Sequence, residues 1–179
     1  MSEIIVQKFG GTSVGSDERI NAVANIIKNA TKENKVIVVV SAMSGETNRL
    51  IKLAKSFSDN PNRREFDALI STGEKVSASL LAMALEANGV KAKSFSASQI
   101  SMKTTNHHSK ARIVDVDGKK ILSTLNEGIV PIITGFQGVT ESGDVTTLGR
   151  GGSDTTAVAI AAQVDAARCD IYTDVEGVY

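Results

Sequence analysis

The chain has 179 residues, with 20 lysines and arginines against 20 aspartates and glutamates for a formal net charge of zero, so electrostatics give no reason to expect a nucleic-acid partner. No apolar run approaches the roughly 18 residues of a membrane span, and Met1-Ser2-Glu3 does not open a basic-then-apolar leader, so a cytoplasmic protein acting on small molecules, with no membrane partner, is expected. Cys169 is the only cysteine, which excludes an intrachain disulfide framework and reads as an ordinary packed thiol before a strand.

At this length a single domain with a sizeable core is expected. Residues 4–9 read as a strand that runs into Gly10-Gly11, and residues 17–31 carry Ile20, Val23, Ala24, Ile27 and Ala30 at helical spacing. Val36-Ile37-Val38-Val39-Val40 is apolar on both faces and β-branched throughout, the pattern of a central strand in a parallel sheet covered above and below. Helices are predicted over 48–58 and 66–85, separated by Asp59-Asn60-Pro61-Asn62, whose proline would start the second one. Residues 92–95 and 113–116 are weaker strands, and 129–134 is a strong one that tolerates Pro131 near its start. Val139-Thr140, the turn Glu141-Ser142-Gly143-Asp144 and Val145-Thr146-Thr147 read as a hairpin projecting from the sheet edge. Ser153 is the expected N-cap of a helix to about Val164, and Ile171-Tyr172-Thr173 begins a last strand. The alternation predicts an α/β fold, with no repeat, low-complexity tract or interdomain linker.

The chemistry concentrates where strands end. A lysine and two glycines in Lys8-Phe9-Gly10-Gly11-Thr12-Ser13 let backbone N–H groups converge on an anion before a helix start, a place suited to phosphate. It is not a Walker A loop, because Ser16-Asp17 stands where Lys-[Ser/Thr] is required. Ser41-Ala42-Met43-Ser44-Gly45 also follows a buried strand, at the carboxyl end where open α/β sheets place ligands, with Ser44 equally suited to capping the next helix. Gly149-Arg150-Gly151-Gly152-Ser153-Asp154 begins like a dinucleotide-binding fingerprint. It carries Asp154 at the last glycine position and follows a hairpin, which argues against a Rossmann-type site.

Lys8-Phe9-Gly10-Gly11-Thr12-Ser13, Val40-Ser41-Ala42-Met43-Ser44-Gly45, Ser71-Thr72-Gly73-Glu74, Gly149-Arg150-Gly151-Gly152-Ser153-Asp154 and the closing Tyr172-Thr173-Asp174-Val175-Glu176-Gly177-Val178-Tyr179 together resemble the catalytic domain of aspartate kinases, in the amino-acid kinase family. The resemblance runs from Lys8 to the last residue. It implies a three-layer αβα sandwich with a mainly parallel central sheet, and phosphoryl transfer from ATP, with Mg²⁺ carried on the nucleotide, to the β-carboxylate of L-aspartate. No dedicated metal cage is implied, and His107-His108 read as loop residues.

By the same resemblance Lys8 and Asp154 are catalytic, the aspartate organising the lysine by ion pairing. Lys8, Phe9, Gly10, Gly11, Thr12, Ser13, Ser41, Thr173, Asp174 and Tyr179 fall on phosphate- or ATP-binding positions. Ser41, Thr47, Glu74, Arg150, Gly151 and Ser153 fall on substrate-binding ones. The last pairing makes chemical sense, since an amino acid presents a carboxylate that an arginine can grip and an ammonium that a carboxylate can neutralise. Plainer readings stand beside these: a solvated lysine, a tight turn, an arginine that stabilises its own loop, and two acids that favour helix N-termini.

The resemblance further implies residues 1–179 as a substrate lobe plus the start of a nucleotide lobe from about residue 171. The nucleotide lobe is then incomplete, a second phosphate-stabilising lysine and regulatory ACT modules are missing, and weak ATP turnover is expected. Self-association, as a homodimer or through the open strand edge, is expected with it. A catalytically silent binding module, and a kinase for glutamate, acetylglutamate or carbamate, are the alternatives. Phe9 and the 149–154 loop favour aspartate.

Overall fold

The structure is a computed structural model and describes residues 2–173. Five strands, β1 (Ile4–Phe9), β2 (Lys35–Val40), β3 (Ala92–Phe95), β6 (Val130–Thr134) and β9 (Arg168–Tyr172), form an all-parallel sheet in the order β3-β6-β2-β1-β9. Two short strands, β4 (Lys103–Thr104) and β5 (Ile113–Asp115), join the hairpin β7 (Gln137–Val139) and β8 (Val145–Thr147) in a second, mixed sheet, ordered β5-β4-β7-β8.

Strand alternation explains the layering. Successive side chains point to opposite faces, so Val36, Val38 and Val40 of β2 join one core, with Ile5 and Phe9 of β1. That core is covered by α1 (Asp17–Ala30) and α4 (Thr72–Ala87). Ile37 and Val39 join a second core with Val6, Phe95 and Ile133, covered by α5 (Lys119–Asn126), α6 (Gly152–Gln163) and a 3-10 turn at Ala97–Ile100. The central strands are therefore buried on both faces, as their unbroken apolar run requires. Pro131 is accommodated because the ladder to β2 is in register only from Ile132 onward.

Several expectations are corrected. The helix expected over 66–85 is two, α3 (Arg63–Ile70) and α4, meeting at Ser71. There the Ser71 and Thr72 hydroxyls donate back to the carbonyls of Ala68 and Leu69, and the Gln137 amide donates to the Ser71 carbonyl, diverting the helical ladder. Pro61 does not start α3; the Asn62 side chain caps it, accepting from the N–H groups of Arg64 and Glu65. Ser153 is not a cap either, because Gly151 in the left-handed conformation precedes α6. Ser44 also leaves its helix uncapped, since α2 (Glu46–Lys55) follows Gly45 with no side-chain cap. The hairpin does not project from the edge of the main sheet but pairs with β4. Helix α5 had no counterpart in the sequence reading, although Ile121 and Leu125 stand four apart and Asp117 accepts from the Lys119 N–H at its start. Cys169 lies inside β9, half-buried against the second core, where burial raises its thiol pKa.

Candidate active site

A cavity of about 280 Å³ opens at the carboxyl ends of the parallel strands. Its walls come from β1 (Lys8), the turn after β2 (Ser41, Ala42), α2 (Thr47), the first turn of α4 (Glu74), Phe136, and residues 149–154 of the loop entering α6. Lys8, Ser41, Thr47, Glu74, Arg150, Gly151, Ser153 and Asp154, separated by up to 146 positions in the chain, are thereby brought together.

Lys8 lies near the end of β1, registered between Val39 of β2 and Ile171 of β9. It continues the Ile4-Val6 side of the strand, so its stem is buried toward α6 while its ammonium reaches the cavity, as long basic side chains do. The Lys8 Nζ stands 2.6 Å from Asp154 Oδ1, with side-chain exposures of 8% and 31%. Asp154 sits in the first turn of α6, so the helix end that faces the cavity is that of α6. The helix following the glycine turn does not serve: α1 starts only at Asp17, is capped by Ser16 and carries Asp17 and Glu18 in its first turn.

Glu74 is 2% exposed. Its Oε1 accepts from the Ala42 N–H at 3.2 Å, and its Oε2 is buried with no hydrogen-bond partner among the described residues. Desolvation pushes its pKa up to about 7, against the lesser pull of its own and Ala42's backbone N–H groups. Arg150 is exposed at the mouth, on a loop that turns through Gly151 at φ 73°, a conformation that costs other residues about 1–2 kcal/mol. Phe136 adopts φ 69° despite its bulk. Its N–H donates to Thr156 Oγ1 and its carbonyl accepts from Leu148, which hold it there against strain.

The glycine turn itself is placed differently from expectation. Of residues 8–13 only Lys8 lines the cavity. The Phe9 side chain is fully buried and stacks on Tyr172 at 4.6 Å, and its carbonyl accepts from Ser41. The Gly10 N–H is spent on the Tyr172 carbonyl, which removes it as an anion donor. Gly11 is needed for packing, because a Cβ there would stand 2.8 Å from the Ala42 carbonyl oxygen. Its carbonyl accepts from Ser44, lacing the first turn to the second. Thr12, Ser13 and Thr173 lie outside the cavity walls, and Asp174 and Tyr179 lie outside the described residues.

Among the described residues no group of three or more histidines, cysteines or carboxylates is placed to hold a metal ion. His108 instead pairs with Asp67, Nδ1 to Oδ2 at 3.0 Å. Asp67 was missed by the sequence reading, though its spacing of three, seven and ten from Ile70, Glu74 and Ser77 puts it on the buried stripe of the α3–α4 rod. The cavity walls Ala42, Phe136, Gly149 and Gly152 were also unassigned, having no chemistry of their own to signal them.

The sequence profile of the amino acid kinase family matches residues 3–179. The chain is 57% identical over 177 residues to the aspartokinase of Geobacillus stearothermophilus, covering 98% of this chain and 44% of that protein. Among solved structures it is similar to the aspartate kinase of Synechocystis, with TM-score 0.82 and 48% identity over 97% of this chain and 29% of that one. It is likewise similar to E. coli aspartokinase III in complex with aspartate and ADP, with TM-score 0.88 and 30% identity over 99% of this chain and 50% of that one. The chain thus spans less than half the length of the curated relative it matches.

Proposed function

Because the chain belongs to the amino acid kinase family, we propose that its cavity binds L-aspartate and that the site transfers the γ-phosphoryl group of ATP to the β-carboxylate, in the cytoplasm. One observation carries the reading: Glu74 offers a buried carboxylate oxygen with no partner among the described residues, in the same cavity as the exposed guanidinium of Arg150. An α-ammonium satisfies the first and an α-carboxylate the second. E. coli aspartokinase III, whose fold this chain shares, was solved with aspartate and ADP.

In the proposed reaction a β-carboxylate oxygen, ionised at neutral pH, attacks the γ-phosphorus, and the bond to the bridging oxygen breaks to release ADP. No general base is needed. Lys8, aimed by Asp154, and the N-terminus of α6 supply positive charge as negative charge spreads over the transferred group. Charge on the phosphates would be neutralised by Mg²⁺ carried with ATP. Self-association belongs to the proposal as well, since β9 stands last in the sheet order among the described residues.

The test is calorimetric titration with L-aspartate, L-glutamate and N-acetylglutamate, together with a coupled ADP-release assay on each acid and the mass of the protein in solution. Binding and turnover confined to aspartate support the proposal. Preference for another acid moves it within the family. Aspartate binding without turnover supports a binding module, and no binding of any acid removes the substrate assignment.

A further inference from the structure

Asp67 is fully buried on α3, outside the cavity, yet it accepts five hydrogen bonds from two other segments. Its Oδ2 takes the Thr147 N–H at 3.0 Å, the Ser109 N–H at 2.8 Å and His108 Nδ1 at 3.0 Å. Its Oδ1 takes the Thr147 hydroxyl at 2.8 Å and the Ser109 hydroxyl at 3.1 Å. A buried carboxylate so thoroughly satisfied fixes its donors in space, because losing it would leave several of them unpaired.

Both donor segments bear on the Arg150 loop. Thr147 is the last residue of β8, and Leu148, Gly149 and Arg150 follow directly. Ser109 is held at φ 66°, an uncommon conformation for serine, and its carbonyl lies 3.5 Å from where a Cβ on Gly149 would stand. On the other side, α3 continues through Ser71, itself clamped by Gln137, into the first turn of α4 and Glu74. The consecutive helices α3 and α4 therefore anchor the root of the Arg150 loop through Asp67 and, seven residues on, carry Glu74.

We propose that Asp67 is a positioning residue that sets the distance and orientation of Arg150 relative to Glu74, and hence selectivity for a ligand bearing an ammonium and a carboxylate on one carbon. The inference rests on the amino-acid reading of the cavity. Asp67 touches no reacting atom; it acts through Thr147 and Ser109.

The experiment compares wild type, Asp67→Asn, Thr147→Val, Arg150→Ala and the Asp67→Asn/Arg150→Ala double variant at a temperature where near-ultraviolet circular dichroism shows each folded. L-aspartate affinity is measured by calorimetry, and amide hydrogen exchange is followed over 147–152. Asp67→Asn should weaken aspartate binding by up to about tenfold, no more than Arg150→Ala does, and speed exchange in the loop. The double variant should bind no worse than Arg150→Ala, since both changes remove the same contact. Thr147→Val, which keeps the backbone donor, should give a smaller loss in the same direction and carries the test if Asp67→Asn does not fold.

Normal aspartate affinity in the folded variants, or full additivity with Arg150→Ala, would overturn the proposal. If wild type binds no aspartate, the amino-acid reading fails and the selectivity claim with it. Unchanged exchange over 147–152 refutes the bracing of the loop itself.

Discussion

Glu74 and Asp154 face one cavity from the first turns of two helices, α4 and α6, yet their surroundings differ. Asp154 has its cation within the chain, Lys8 at 2.6 Å, and stays partly exposed. Glu74 is almost wholly buried, accepts the Ala42 N–H and has no cation paired with it among the described residues, so desolvation pushes its pKa up to about 7. A paired carboxylate orients its partner, whereas an unpaired buried one stores a desolvation cost that an incoming cation can relieve. The contrast sets a carboxylate paired with a lysine against one that, under the proposed function, receives the ammonium of the substrate.

The largest test removes the paired side. Lys8→Ala should lower the phosphoryl-transfer kcat by roughly 100- to 1000-fold, the scale for losing a preorganised charge-stabilising group, with little change in aspartate affinity. An unchanged kcat in the coupled assay would take Lys8 out of the chemistry.

Glu74→Gln tests the other side and should split binding from stability. Aspartate affinity should fall about tenfold or more by calorimetry. Stability should move oppositely. With the folded pKa raised from 4.5 to about 7, the folded protein holds a proton that the unfolded chain has lost between those values. Wild-type stability therefore declines as pH rises through that window. At pH 8 the glutamine variant, which has no charge to desolvate, should be more stable in denaturant titrations, by on the order of 3 kcal/mol at most. Equal stability of the two proteins at pH 8 would show that Glu74 is not strained by burial. In the wild type, aspartate should bind more weakly at pH 6 than at pH 8, because the carboxyl must first lose its proton, and proton release should appear as a buffer-dependent binding enthalpy.

Arg150→Ala is expected to be milder, raising the aspartate KM about tenfold while leaving ATP binding nearly intact, since an exposed arginine loses less than a buried group. A large loss of ATP affinity with normal aspartate affinity would reassign it. Smallest of all, Arg64→Ala breaks exposed pairs with Asp144 and Glu65 and should leave the thermal midpoint unmoved. A clear drop there would mean that α3 depends on its surface contacts as well as on Asp67.

Much of the fold was legible because period and burial agree. The all-apolar Val36–Val40 run and the helical spacing of Ile20, Val23, Ala24 and Ile27 each specify one structure by themselves, and both form as read. Reading failed where a distant partner decides. Residues 66–85 have unbroken helical character, and at Ser71 the amide of Gln137, on a strand far along the chain, joins the Ser71 and Thr72 hydroxyls in interrupting them. Ser153 looks like a cap, but its side chain is packed against Gly135, where a Cβ would meet it at 2.7 Å, and Gly151 takes the turn. Gly10-Gly11 looks like a phosphate cradle, and the structure uses these residues to bind the Tyr172 carbonyl and to pass close to Ala42.

The sequence by itself determined the layered α/β architecture and which short segments carry charge and small residues at strand ends, because alternation, helical spacing and turn chemistry are local properties of a chain. It also supplied the cavity's chemical inventory, Lys8, Glu74, Arg150 and Asp154. Only the tertiary structure decided how that inventory is used. Ion pairing of Lys8 with Asp154, burial of the Glu74 carboxylate and the bracing of the Arg150 loop by Asp67 depend on distances across three layers, and electrostatic energies follow distance and dielectric rather than order along the chain.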